Sequence, residues 1–253
     1  MPNWKSILRK TEHRRWPKPK RPWVMTMSWV NLLAAHWPIE PRQLRRLVPD
    51  RLAVDTWEGK AWISILPFAM DNTSLRGFTW SPRQMYFPEV NVRTYVTTEE
   101  GGPGVWFLSL DAASRLAVWG ARTFFYLPYL NAELDMSVAG DVVNFRSIRT
   151  HSGEPQAEFV ATYSPTGPAE VAEEGSFQEW IMERYLYYVA GGDSILRGDV
   201  HHEPWILQPG SIDIETNTLF DALLIELPAE PTFVYYADSV DSLGWACYPV
   251  DFQ

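Results

Sequence analysis

The sequence has very little cysteine, since Cys247 is the single one in 253 residues. One cysteine excludes an internal disulfide framework and any metal site built from several thiolates. The five histidines include no pair with a metal-binding helical spacing such as H-x-x-x-H. We therefore predict no metal site, and we expect the chain to reside in the reducing cytoplasm.

Long apolar runs and common catalytic motifs are also missing. The best candidate span, residues 24–37, is short and is interrupted by Ser28, Asn31 and His36, so we expect neither a membrane span nor a signal peptide. No Gly-x-Ser-x-Gly elbow, phosphate-binding loop or dinucleotide fingerprint occurs. These absences predict a protein without a bound cofactor.

Charge is distributed unevenly along the chain. Residues 1–22 hold eight Lys or Arg and one acid, Glu12, whereas the rest holds 14 Lys or Arg and 30 Asp or Glu. This basic, proline-containing leader is predicted to be flexible. It is either simply solvated, docked on the acidic body, or an arm for nucleic acid or a membrane surface. The acidic body argues against nucleic-acid binding by the protein as a whole.

What the chain does contain is a large apolar core. Hydrophobic residues make up 46% of the sequence, and there are 13 tryptophans. Many short predicted strands, only two or three helices and no fixed repeat favour a single α+β barrel or sandwich over residues 23–253.

Local patterns predict the individual elements. Residues 23–36 read as a strand or a short helix, and 71–88 as an aromatic-rich loop containing Phe78 and Trp80. The remaining predictions are a helix over 40–49, a hairpin over 52–68 with its turn at Glu58-Gly59, a helix over 111–125 capped by Asp111, paired strands over 138–149 and 157–163, a helix over 176–189, and late strands over 194–204, 210–215 and 233–236.

The strand over residues 89–96 carries the clearest sign of function. Its odd positions hold Glu89, Asn91, Arg93 and Tyr95, and its even positions hold Val, Val, Thr and Val. Because side chains alternate along a strand, the polar set shares one face. An acid, an amide, a guanidinium and a phenol on one face are suited to binding a small molecule. The alternative is a structural network of ion pairs and hydrogen bonds.

Three further groups of polar residues are candidates. Ser109 lies among bulky apolar residues on the following strand. Arg122 shares a helix face with Trp119 and is a candidate to bind an anion, although it is equally suited to a solvated surface. His201 or its neighbour His202 could shuttle protons, but adjacent strand residues point to opposite faces and cannot easily bind one metal.

Several blocks of the sequence, taken together, are typical of one family. They are Leu47–Leu52, Gly59–Phe68, Glu89–Val96, Gly104–Ala112, Ala121–Tyr129, Glu183–Tyr185 and His201–Trp205. On these blocks the chain resembles the uncharacterised YqjF-like family, whose DUF2071 domain is grouped with the acetoacetate decarboxylase-like fold. The resemblance implies an antiparallel β-rich barrel or cone with a few helices outside and an enclosed apolar pocket.

The resemblance also implies a site, with one departure from the decarboxylase pattern. Those enzymes form a Schiff base on a lysine that follows a proline, but Pro128 here is followed by Tyr129, and Lys60 is the last lysine in the chain. The decarboxylase glutamate is similar in position to Glu89. We therefore expect Glu89 and Tyr129 to act in catalysis and Tyr126 to lie near the ligand.

Two classes of function follow from this reading. The first is a lyase or isomerase that acts on a small carbonyl or carboxylate compound without a Schiff base. The second is a binding or sensing protein without turnover. An interaction module acting through the basic leader is a third hypothesis. The aromatic surface is compatible with a homodimer, although nothing in the sequence demands one.

Overall fold

Alternating and β-branched sequences fold about half of this chain into strands. The computed structural model describes residues 4–77, 85–99 and 102–250. Within them the strands are β1 (Met25–Ile39), β2 (Ala53–Val54), β3 (Ala61–Leu75), β4 (Met85–Thr97), β5 (Gly104–Ala112), β6 (Tyr129–Ala139), β7 (Val142–Arg149), β8 (Glu158–Pro165), β9 (Glu170–Val171), β10 (Leu186–Gly191), β11 (Ser194–His202), β12 (Ile206–Asn217), β13 (Phe233–Gly244) and β14 (Tyr248–Pro249). The helices are α1 (Trp4–Ile7), α2 (Pro41–Arg45), α3 (Arg115–Phe124), α4 (Phe177–Met182) and a 3-10 turn, Asp221–Leu223.

The strands close into two rings that share five members. The larger ring is a nine-stranded barrel in the order β1, β3, β4, β5, β6, β7, β8, β12, β13. Because β5 also pairs with β10, and β11 with β13, a second ring of seven strands forms from β1, β3, β4, β5, β10, β11 and β13. The predicted α+β barrel is confirmed. Its sheet is mixed, since β5 runs parallel to both β6 and β10.

The five shared strands present one face to each ring. On β4, Val90 and Val92 are buried in an apolar core with Phe145 and Phe159 inside the nine-stranded barrel. The alternate residues of β4 point into the other ring. On β4 the period of two therefore separates a dry core from a second interior, so both faces of this strand are largely covered.

Several local predictions are confirmed and others are wrong. The helix over 40–49 forms as α2, residues 23–36 lie mainly in β1, and the Glu58-Gly59 turn forms with both residues at positive φ. The hairpin is wrong in its pairing, because β2 pairs with β4 rather than β3. The predicted helix over 176–189 ends at Met182, and the Tyr- and Val-rich residues that follow form β10.

Two further expectations concern helix α3 and the loop over 71–88. Asp111 is not the cap of α3, because Ser114 accepts the capping hydrogen bond from the Ala117 amide. Much of the predicted loop is strand, since β3 runs to Leu75 and β4 begins at Met85. The predicted loop residues Phe78 and Trp80 lie outside the described residues.

The basic leader is packed against the body, which is the docked arrangement among the alternatives stated for it. Ile7 is buried with Leu243 and Trp245. Arg14 donates to the carbonyl of Val200, and His13 Nε2 lies 2.9 Å from the carbonyl oxygen of His202. Apolar burial and hydrogen bonds to strand edges therefore fix residues 4–22 on the fold.

No helix in the described part of the chain combines the length and apolar character needed to cross a membrane.

Candidate active site

A cavity of about 430 Å³ lies inside the seven-stranded ring. All seven strands of that ring contribute lining residues, and β4 contributes Phe87, Glu89, Asn91 and Arg93. The cavity extends to α3, whose Leu116, Trp119 and Phe124 both line it and are exposed. Its walls are mostly apolar. The few polar groups that reach it therefore act in a medium where charge and hydrogen bonding are strong.

Glu89 is the buried acid of this cavity. Its side chain is 1% exposed, and burial, with a smaller contribution from Asp111, raises its pKa to about 8. The Tyr129 hydroxyl donates to Glu89 Oε2 over 2.8 Å, which opposes that rise. Burial and the adjacent Glu89 raise the pKa of Tyr129 in turn. At neutral pH the carboxyl is therefore mainly protonated and can donate a hydrogen bond or a proton.

Arg93 is a cation of the cavity lining, and a chain of hydrogen bonds through Tyr95, Ser64 and His36 holds its side chain in place. Its Nε donates to the Tyr95 hydroxyl over 3.4 Å, and that hydroxyl lies 2.8 Å from Ser64 Oγ. Ser64 Oγ is 2.6 Å from Nδ1 of His36, whose pKa is lowered by burial and by Arg93. Among the described residues no carboxylate forms an ion pair with Arg93.

Arg184 is a second guanidinium that lines the cavity, and it is compensated. It donates to Asp55 Oδ2 over 2.7 Å and to the Trp180 carbonyl over 2.6 Å. Burial lowers its pKa, and Asp55 opposes that effect. Its guanidinium also stacks on the ring of Tyr95 at 5.1 Å. Tyr95 thus contacts both arginines of the cavity, Arg93 through its hydroxyl and Arg184 through its ring.

Several buried polar atoms of the lining have no hydrogen-bond partner among the described residues. They are Asn91 Oδ1, Thr73 Oγ1, Arg184 Nη2 and Trp205 Nε1. His202 also lines the cavity, and burial lowers its pKa to about 3, so it is neutral at physiological pH. Unpaired buried donors and acceptors are costly in a protein interior, and a bound polar ligand would satisfy them.

The structure brings four of the nine sequence-predicted site residues together in the cavity: Glu89, Asn91, Arg93 and Tyr129. Tyr95 is completely buried behind Arg93 and packs on Trp180. Tyr95 therefore contacts Arg93 and Arg184 but does not line the cavity.

The other four lie elsewhere. Ser109 accepts from Arg149, Arg122 is exposed and donates to the Tyr129 carbonyl, and Tyr126 is half exposed. His201 contacts Arg14 and the Ile7 carbonyl under the leader.

A β-bulge explains the position of Ser109. Opposite Val92 and Arg93 of β4, strand β5 carries one extra residue, Leu108. The extra residue reverses the alternation, so that Phe107 and Leu110 both line the cavity while Ser109 turns to the opposite face. A strict period of two could not reveal this.

Sequence reasoning missed Arg184, His202 and Trp205 as lining residues. All three lie in the blocks Glu183–Tyr185 and His201–Trp205, which were noted for their family resemblance, with His202 also named beside His201 as a possible proton shuttle. A buried arginine looks like a surface one until its partner Asp55 is placed beside it. Of the two adjacent histidines, periodicity alone could not say which one faces inward.

The fold is of the acetoacetate decarboxylase-like type. An acetoacetate decarboxylase from Legionella pneumophila superposes with a TM-score of 0.60 at 13% identity, covering 97% of this chain and 95% of that chain. The enduracididine biosynthesis enzyme MppR, complexed with pyruvate, superposes with a TM-score of 0.60 at 13% identity, covering 95% and 93%. At such low identity these likenesses establish the fold alone.

Sequence comparison shows the family to which the chain belongs. The profile of the DUF2071 family, described as an uncharacterized conserved protein, matches residues 26–241. The uncharacterized protein YqjF of Bacillus subtilis (strain 168) is 43% identical over 223 residues, covering 88% of this chain and 91% of that protein. The chain belongs to the DUF2071 family.

Lysine is absent from the cavity lining. All five lysines lie within the described residues, none is among the lining residues, and Lys60 is exposed beside the Glu58-Gly59 turn. We expect borohydride reduction in the presence of acetoacetate to produce no covalent adduct, as measured by intact mass. An acetoacetate decarboxylase treated in parallel is the positive control. A reduced adduct mapped to Lys60 would contradict the placement of that side chain.

Proposed function

We propose that this protein binds a small oxo-carboxylate in the cavity and acts on it as a lyase or isomerase that works by proton transfer without a Schiff base. Arg93 would bind the carboxylate. Glu89, hydrogen-bonded to Tyr129, would exchange a proton with the carbonyl or enol. Asn91 lies between them on β4 and would orient the ligand.

The observation that carries this proposal is the guanidinium of Arg93, which lines a mostly apolar cavity and has no carboxylate partner among the described residues. Arg93 is half-buried in these mostly apolar surroundings, where a charge is favoured by a partner of opposite sign. Glu89 does not supply the missing charge, because its raised pKa leaves it mainly neutral at pH 7. An anionic ligand would supply it, and a carboxylate matches the planar fork of a guanidinium.

The neutral state of Glu89 defines the chemistry that it can perform. A carboxylic acid kept protonated by an apolar environment can stabilise a developing enolate by donating a hydrogen bond. A pKa near the working pH also suits exchange of that proton. Alternate residues on a strand are about 7 Å apart. Glu89 and Arg93 are therefore about 13 Å apart along β4, so their long side chains would have to converge on a ligand of a few carbons held beside Asn91.

The comparisons are consistent with this proposal by analogy only. The structural neighbours include acetoacetate decarboxylases and the MppR complex with pyruvate, which are proteins named for or bound to small oxo-acids. The absence of a cavity lysine favours the second candidate, a cytoplasmic binding or sensing protein that uses the same groups without turnover.

The test is ligand binding by variants of Arg93. We expect pyruvate and acetoacetate to bind the unmodified protein, and Arg93→Met to weaken binding by about 30-fold or more. The reason is that a charge-assisted hydrogen bond in a desolvated site contributes roughly 2 kcal/mol or more. Isothermal titration calorimetry measures both affinities, and Arg93→Lys should retain part of the affinity.

Arg115→Met is the matched control, since Arg115 is an exposed arginine of α3 that does not line the cavity. It should bind as the unmodified protein does. Equal affinity of the Arg93→Met and unmodified proteins, with thermal unfolding showing both folded, would refute the proposed carboxylate site.

A further inference from the structure

We infer that the physiological ligand is an amphiphilic carboxylate, with its head at Arg93 and an acyl chain that follows the apolar wall to the mouth beside α3. This inference rests on the proposed function and extends it to a substrate class. It follows from how polar and apolar groups are distributed along the cavity.

The inner part of the cavity holds the polar side chains that could bind a head group. Glu89, Asn91, Arg184 and His202 are all buried, and each lines the cavity. Arg93 lies between Asn91 and Tyr95 on the same strand. Together with Arg93 these are the carboxyl, guanidinium, imidazole and amide side chains of the lining, so a charged head group would find its ionic partners there.

Most of the rest of the lining is apolar. Buried Leu66, Phe68 and Phe87 come from β3 and β4, while Met27 and Met70 add flexible thioether side chains from β1 and β3. Methionine adapts its shape to an apolar partner at low cost. Such a wall suits a flexible hydrocarbon chain better than a compact polar molecule.

At the mouth the apolar lining continues into solvent. Leu116, Trp119 and Phe124 of α3 line the cavity, yet they are 63%, 58% and 61% exposed, and Leu75 at the end of β3 is 49% exposed. Large apolar side chains gathered in this way usually mark a binding site. An acyl chain leaving the cavity would cover them, whereas a ligand confined to the inner end would not.

The volume of the cavity agrees with a ligand that has a polar head group and an apolar chain. A volume of 430 Å³ provides space for on the order of a dozen water-sized groups at about 30 Å³ each. Pyruvate would leave most of that space empty. An apolar space left empty forfeits the dispersion contacts of its walls, and an acyl chain would restore them.

The experiment is a chain-length series of unreactive carboxylates. We expect the Kd of acetate, butanoate, hexanoate, octanoate and decanoate, measured by calorimetry, to fall roughly tenfold with each added pair of methylenes until the chain reaches the mouth. Arg93→Met should weaken binding of every member that binds. Leu116→Ser should weaken decanoate binding several-fold and leave shorter members unchanged.

One control variant and two contrary outcomes distinguish failure of the acyl-chain inference from failure of the proposed function. Ile206→Ser changes an aliphatic residue of 60% exposure that does not line the cavity, and it should have no effect on any member. Arg93-dependent affinity that does not change with chain length would overturn the acyl-chain inference and leave the proposed function standing. A series in which nothing binds, or in which binding ignores Arg93, would refute the proposed function itself.

Discussion

Replacing Glu89 with Gln is expected to stabilise the protein by several kcal/mol at pH 8 and above and to have almost no effect below about pH 4.5. Burial raises the folded-state pKa of Glu89 from its ordinary 4.5 to about 8. Between these values the folded state holds a proton that the unfolded state has released. The resulting destabilisation is absent below pH 4.5, grows as pH rises, and is constant above pH 8.

The size of the effect follows from the same pKa difference. Each pKa unit corresponds to 1.36 kcal/mol, so the full destabilisation is on the order of 4–5 kcal/mol. Glutamine is nearly isosteric with the protonated acid, and its carbonyl can still accept from Tyr129. The measurement is urea unfolding of both proteins at a series of pH values from 4 to 9.

The matched control is Glu133→Gln on β6, an exposed glutamate outside the cavity. It should change stability by only a few tenths of a kcal/mol, with no trend in pH. If the Glu89→Gln difference is the same at pH 4.5 and pH 8.5, Glu89 titrates in the folded protein as it does in the unfolded chain.

The same variant separates the two proposed functions once a substrate is found. If Glu89 exchanges a proton with the ligand, Glu89→Gln should abolish turnover and preserve most of the binding. Loss of both together would assign Glu89 to ligand anchoring or structure. An unmodified protein that binds oxo-carboxylates without converting them would be the binding protein of the alternative hypothesis.

Replacing Arg149 with Met is expected to destabilise the protein by about 3–5 kcal/mol, because it leaves a buried carboxylate without its partner. Arg149 Nε donates to both carboxylate oxygens of Asp111, over 3.0 and 3.1 Å, and both side chains are almost wholly buried. Burial already raises the pKa of Asp111 to about 6 against the opposing effect of Arg149. Without Arg149 the acid must be buried unpaired or protonated, and either state is costly.

Arg146→Met provides the control on the same strand. Arg146 pairs with Glu158 at the surface over 3.4 Å, and both side chains are exposed, so its loss should have little effect on stability. The double variant Asp111→Leu with Arg149→Met should recover much of the lost stability, since it removes both charges. If Arg149→Met unfolds at the same urea concentration as the unmodified protein, the Asp111 carboxylate does not depend on this partner.

The sequence predicts the fold class and the strand that carries the site, because both depend on local periodicity. The alternation in β4 places Glu89, Asn91 and Arg93 on one face, and the structure places all three in the cavity. Tyr95 continues the same pattern, but α4 covers it through Trp180. Local periodicity cannot predict which element will pack over the end of a strand.

Long-range pairing accounts for what the sequence could not predict. The two-ring topology depends on the pairings of β5 with β10 and β11 with β13, which join segments far apart in the chain. The bulge at Leu108 and the ion pair between Arg184 and Asp55 depend on the same tertiary arrangement. Residues that such contacts position can be assigned to the cavity only when the pairing of the strands is known.

The sharing of five strands between two interiors also constrains how the protein reaches its native state. In a sheet with one solvated side, a one-residue slip of a strand moves its apolar residues from the core to the solvated side and its polar residues into the core. Only the core is then disrupted, because the solvated side accepts either kind of residue. Here a slip of β4 would move Glu89 and Arg93 into the dry core and Val90 and Val92 into the cavity. Both interiors would be disrupted at once, so misregistered pairings are penalised twice, and the ionisable residues of the cavity help to select the correct alignment during folding.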